Sequence, residues 1–149
     1  MKIKKLLGTF LLSNIAIASF LSANPAMAAS VSVNHHSTSS ILLADIKTKY
    51  VKDADENLDS ALEAMNNAAD AKSDADAAQY FDNAMEHLKN AATALKKGGM
   101  LDSANKIENA IQALNDAVDT DSEKQQDKLI EKAIDSLNQV DEAVKAALN

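Results

Sequence analysis

The chain has no cysteine and no arginine, only three glycines and a single proline in 149 residues. Without cysteine there is no disulfide, no thiolate metal site and no covalent c-type haem, which requires a Cys-x-x-Cys-His run. Without arginine, and with 15 lysines against 22 acids, the net charge of −7 argues against nucleic acid, whose phosphates are met by clustered cations. An acidic surface favours solubility and gathers cations diffusely. With so little glycine there is no phosphate-cradling loop and no Gly-x-Ser-x-Gly elbow, and no helix carries His-Glu-x-x-His. A catalytic histidine would have to be His35, His36 or His87. On this inventory the chain reads as a non-enzyme.

What is present begins with a leader. Lys2, Lys4 and Lys5 precede an apolar stretch from Leu6 to Leu21, and Ala26-Met27-Ala28 supplies small residues at the positions a signal peptidase needs. This pattern predicts a signal peptide over residues 1–28, cut after Ala28. The competing reading, a membrane anchor, is weakened by Gly8, Thr9, Ser13 and Asn14 within the run. Cleavage removes three lysines and leaves 12 against 22 acids, a net charge of −10. No later segment is apolar enough to span a bilayer. Export of a small, acidic, cysteine-free body suggests the periplasm, with secretion beyond it left open.

Residues 29–40 are Ser, Thr, Val and Asn around the His35-His36 pair, without helical periodicity, and predict a flexible tether. Beyond it a small-apolar pattern recurs four times: Ala54, Leu58, Ala61; Ala84, Leu88, Ala91; Ala110, Leu114, Ala117; and Ala133, Leu137, Val140. Steps of four and then three residues put each trio on one side of a helix. The first helix carries a stripe from Leu43, Ile46 and Tyr50 through Leu58 and Leu62 to Met65 and Ala69, with Ile41 and Leu42 folding over its start. Its end is unmarked by glycine or proline. Ser73, followed by Asp74 and Asp76, is the best start for a second helix that buries Ala77, Phe81, Ala84, Met85, Leu88, Ala91, Ala92 and Leu95. Lys96-Lys97-Gly98-Gly99 ends it.

A third helix follows from Leu101 through Ala104, Ile107, Ile111 and Leu114 to Val118. Ser122 and Gln125 then have capping-box spacing for a fourth, whose stripe is Leu129 or Ile130, Ala133, Ile134, Leu137, Val140, Val144 and Leu148. Short connections make neighbours antiparallel. The expected fold is therefore all-α, an antiparallel up-down four-helix bundle over residues 41–149. Its core would be mostly Ala, Leu, Ile and Val, since Tyr50, Tyr80 and Phe81 are the only aromatics after the leader.

Chemistry-bearing residues are few. His87 sits beside core residue Leu88, and Asn83, Ala84, Asn90 and Ala91 at helical spacing are poor metal ligands, so it reads as a boundary histidine. Glu123, Asp127, Glu131 and Asp135 recur every four residues beside Lys124, Lys128 and Lys132, which suits a solvated, self-neutralising face that could hold hard cations weakly. Glu56, Asp59 and Glu63 on the first helix have the same character. Asp119-x-Asp121-x-Glu123 opens like a calcium loop, but Lys124 and Ile130 stand where an EF-hand needs glycine and bidentate glutamate. The last helix lacks the histidine that haem-binding four-helix cytochromes use, so Met65, Met85 and Met100 read as core filler.

Met85-Glu86-His87-Leu88-Lys89-Asn90-Ala91, followed by Ala94-Leu95-Lys96-Lys97-Gly98-Gly99, resembles the small metal-binding protein family of periplasmic bundles. The resemblance implies a helical fold, the periplasmic compartment and binding of several divalent metals, mainly through histidines. Here only His87 occupies a histidine position of the repeat, with Asn57, Ala113 and Ser136 at the equivalent places, so metal binding would rest on carboxylates and favour ions harder than copper. The leading functional expectation is a non-catalytic periplasmic binding or scaffold bundle. The alternative is a divalent-metal binding or buffering protein. Neither assigns a catalytic residue, a metal ligand set or a cofactor; the candidate partners are divalent cations or another protein meeting an exposed apolar stripe.

Overall fold

The computed structural model describes residues 38–149, so the expected signal peptide and most of the expected tether, with His35 and His36, lie outside the described residues. Four helices follow one another: α1 (Thr38–Asp70), α2 (Asp74–Lys97), α3 (Leu101–Asp119) and α4 (Glu123–Leu148). None contains glycine or proline, and alanine, leucine, lysine and the acids that fill them are ordinary helix formers. Connections of three residues force each helix to run back along its predecessor. The helices touch around a ring, α1 to α2 to α3 to α4 and back to α1, with contact most extensive along α1–α2 and α3–α4 and sparsest along α1–α4. This is the antiparallel up-down four-helix bundle that the repeats predict.

Local chemistry fixes the ends. Ser73, in extended backbone, accepts from the Asp76 N–H at 3.1 Å and donates to the Asp76 carboxylate at 2.7 Å, so the first turn of α2 is closed reciprocally. At the other end the Met100 N–H reaches the Leu95 carbonyl and the Gly99 N–H reaches that of Lys96, a Schellman closure that places Gly99 at φ +81°. Ser122 accepts from the Gln125 N–H at 3.4 Å to start α4. Just inside, the buried Gln126 amide donates to the Ala117 carbonyl at 2.9 Å and ties the start of α4 to the end of α3.

Fourteen of the 26 buried apolar residues are alanine, so at about half of the core positions no bulky side chain holds the helices apart. Small contact residues favour the short end of the roughly 8–10 Å range of helix separations. Ten of the twelve repeat residues are buried; Leu58 and Leu137, in the helices that share the sparsest seam, are only partly so. Met65 and Met85 fill the core, and Phe81 is its one buried aromatic.

Three expectations need correction. First, the helix starts at Thr38, so residues 38–40 are helical and not part of the tether. Second, Leu42 does not fold back over the helix start, and Leu43 and Ile46 are not core: all three lie within α1, 61%, 55% and 49% exposed. The cause is length. Gly98 packs against Tyr50 and Val51, and Gly99 faces Lys47, so α2 ends level with those residues and, among the described residues, does not reach the turns before them. Third, Leu101 opens α3 at the same end and is 59% exposed, while the buried side of α3 runs through Ala104, Ile107, Ala110, Leu114 and Ala117, leaving Ile111 and Val118 partly buried.

Candidate functional site

The most extensively packed pair of helices, α1 and α2, carries the best-defined polar arrangement. Asn57 and His87 stand at the same place in their repeats, one residue before Leu58 and Leu88, and antiparallel packing brings them together with His87 Nδ1 at 3.3 Å from Asn57 Oδ1. The Asn57 amide nitrogen donates to the Asp53 carbonyl at 2.7 Å, which turns its oxygen toward the ring. Nδ1 then carries the proton as donor, and a neutral ring keeps its lone pair on Nε2. Both residues are partly buried, so His87 is the boundary histidine its spacing predicts.

Beside this pair lies a shallow open groove of about 330 Å³ between α1 and α2, lined by Asp53, Glu56, Asn57, Asn90, Thr93 and Lys97. Lys97 Nζ sits 5.6 Å from the centre of the Tyr50 ring, a cation–π contact that closes its end. The groove offers donors and acceptors of both signs, and it is suited to loose recognition of polar groups. Nothing in it activates a nucleophile. Thr93 donates to the Lys89 carbonyl at 2.9 Å, and Thr48, Ser60 and Ser136 make the same bond to the carbonyl four residues back.

A second polar cluster lies on the α1–α4 seam. Asp55 is partly buried there, and its carboxyl is raised above the ordinary Asp range, first by desolvation, then by the charges of Asp59 and Asp141, against which Lys145 pulls down and Glu56 pushes up slightly. Lys145 forms an ion pair with Asp141. Spacing alone could not show this cluster, because its members come from helices at opposite ends of the chain; the sequence signal was only that Asp55 and Asp59 sit one turn apart.

The remaining predicted positions disperse. Asp127, Glu131 and Asp135 are exposed along α4 with Lys124, Lys128 and Lys132. Glu56, Asp59 and Glu63 are exposed on α1, and Glu123 opens the first turn of α4, where its charge suits the helix dipole. Among the described residues no group of three or more His, Asp or Glu side chains is arranged to hold a metal ion. No helix among them is long and apolar enough to cross a membrane. Comparison with known proteins finds no matching protein-family model, no matching curated protein and no matching solved structure.

Proposed function

We propose that this protein is a non-catalytic, exported binding or scaffold bundle of the periplasm. The observation that carries this reading is how the helices use their faces: ten of the twelve small-apolar repeat residues are buried in mutual packing, and the groove between α1 and α2 is shallow and open. Catalysis needs reacting groups held and shielded from water. Hydroxyls bonded to their own backbone and an open groove do neither. The signal-peptide pattern in the sequence of residues 1–28 is what supports the compartment. Fractionation of the producing cell should recover the protein in the periplasm with Ala29 at its N-terminus. Reproducible turnover of any small ester, phosphoester, glycoside or peptide by the purified protein would overturn the non-catalytic reading.

Divalent-metal buffering is the second reading. It rests on the resemblance carried by residues 85–99 and on the exposed acidic stripes of α1 and α4, which could hold hard cations weakly. Calorimetric titration with copper, nickel, zinc, manganese and calcium decides it. A specific site must raise the unfolding temperature as metal is added, because only the folded chain assembles the ligands. Neither heat nor stabilisation at micromolar metal rules it out.

A further inference from the structure

We infer that the N-terminal overhang of α1, together with the turn that follows it, is a docking surface for an anionic lipid surface, with Leu42, Leu43 and Ile46 entering the interface and Lys47 and Lys49 meeting headgroup phosphates. This deepens the binding-protein reading and rests on it. The overhang is defined by Gly98 and Gly99, which stand against Tyr50, Val51 and Lys47. The nine residues before Lys47 therefore project about 13 Å past the end of α2 at 1.5 Å each.

The projecting turns and the one that follows them are amphipathic. At about 100° per residue, Leu42, Leu43 and Ile46 share one arc, and Lys47 and Lys49 flank it on opposite sides. The three apolar residues are 49–61% exposed, and Leu101, exposed at the start of α3, adds to the same end of the bundle. The charge balance is local. Between residues 38 and 52 three lysines, Lys47, Lys49 and Lys52, stand against one acid, Asp45, and Asp53 and Glu56 then follow beside Lys49 and Lys52, which leaves Lys47 as the lysine set apart from these acids. An apolar arc edged by lysines is the pattern of a helix that lies in a lipid interface, where long cationic side chains reach the headgroups.

Two other occupants fit less well. A second copy meeting tip to tip would bring like-charged lysines together over three part-exposed aliphatic side chains, too little area for a stable dimer of roughly 1,200 Å² or more. The acidic stripe of α4 in another copy would complement the lysines but gives Leu42, Leu43 and Ile46 nothing apolar to meet. That stripe also does not cancel the attraction to lipid. It starts at Glu123, at the far end of a bundle several times longer than the roughly 8–10 Å screening length in salt.

The test uses protein isolated from its producing cell, with its N-terminus read by mass spectrometry so that wild type and variants are identical there. Each is sedimented with vesicles of equal phosphatidylglycerol and phosphatidylcholine, and with phosphatidylcholine alone. Wild type should bind the anionic vesicles, bind the neutral ones weakly, and release as salt rises. The variant Leu42→Ser/Leu43→Ser/Ile46→Ser should lose binding while its thermal unfolding stays unchanged, since these side chains lie outside the core. The variant Lys47→Gln/Lys49→Gln should bind about 25-fold more weakly, at about fivefold per lysine. Wild type that ignores anionic vesicles overturns the proposal, and so does binding that the apolar variant retains. Variants that change the sedimentation coefficient in the absence of lipid, with vesicle binding untouched, assign the surface to a second copy. None of these results bears on turnover, so the docking surface can fail while the non-catalytic reading stands.

Discussion

The leucines at the centre of the four repeats form an internally controlled experiment. Leu88 and Leu114 are 1% and 0% exposed, whereas Leu58 and Leu137 occupy the same repeat position but are only partly buried. Truncating a buried leucine to alanine loses the transfer energy of the removed carbons and leaves a cavity, about 2.7–5.0 kcal/mol together. Alanine-lined helices can close part of that space, so about 3 kcal/mol is expected for Leu88→Ala and for Leu114→Ala. At Leu58 and Leu137 the truncated side chain opens toward water, no closed cavity forms, and about 1–1.5 kcal/mol is expected from the smaller area lost. At about 4 °C per kcal/mol for a domain of this size, the unfolding temperature should fall by about 12 °C for the first pair and about 5 °C for the second. Urea and thermal unfolding followed by circular dichroism at 222 nm reads all four. Equal losses at the four positions would refute the reasoning, because they would mean that the α1–α4 seam is packed as tightly as the rest.

Three further substitutions probe single features. Gly99→Ala should cost about 1 kcal/mol, since Gly99 has φ +81° and its nearest neighbour, Lys47 Cε, leaves room for a methyl, so backbone strain alone is measured; Gly99→Asn should recover part of the loss in the same melts. Gln126→Ala should cost about 1–2 kcal/mol in urea unfolding by leaving the Ala117 carbonyl without its side-chain donor. For Asp55 the folded carboxyl titrates above its unfolded value, so the folded state binds more protons in the interval between the two and stability falls as pH rises through it. Asp55→Asn should therefore stabilise the protein at pH 7, with a gain that shrinks as pH falls to the ordinary Asp range and below; a gain independent of pH contradicts the seam electrostatics.

Much of the fold could be read from the chain because its signals are local. Ser73 with its two acids and Lys96-Lys97-Gly98-Gly99 bound α2 by backbone chemistry that needs no distant partner. The α2 stripe from Ala77 to Leu95 is buried as its spacing predicts. Periodicity, however, reports that a helix has an apolar side and not whether another helix stands against it. That is why Leu43 and Ile46, in phase with the stripe of α1, are exposed once α2 stops at Gly98. The polar arrangements were hidden for a related reason. Asn57 and His87 are thirty residues apart, and Asp55 and Asp141 come from the first and last helices, so their meeting depends on the antiparallel ring and on which seams are tight.

The central claim is that small and branched aliphatic side chains, recurring at helical spacing, close these four helices into a folded unit without any bound group. Far-UV circular dichroism and a thermal melt in excess EDTA test it directly. A strongly helical spectrum with one cooperative transition, unchanged when divalent metal is restored, is the predicted result. A largely coil spectrum in chelator that becomes helical only on adding metal would contradict it.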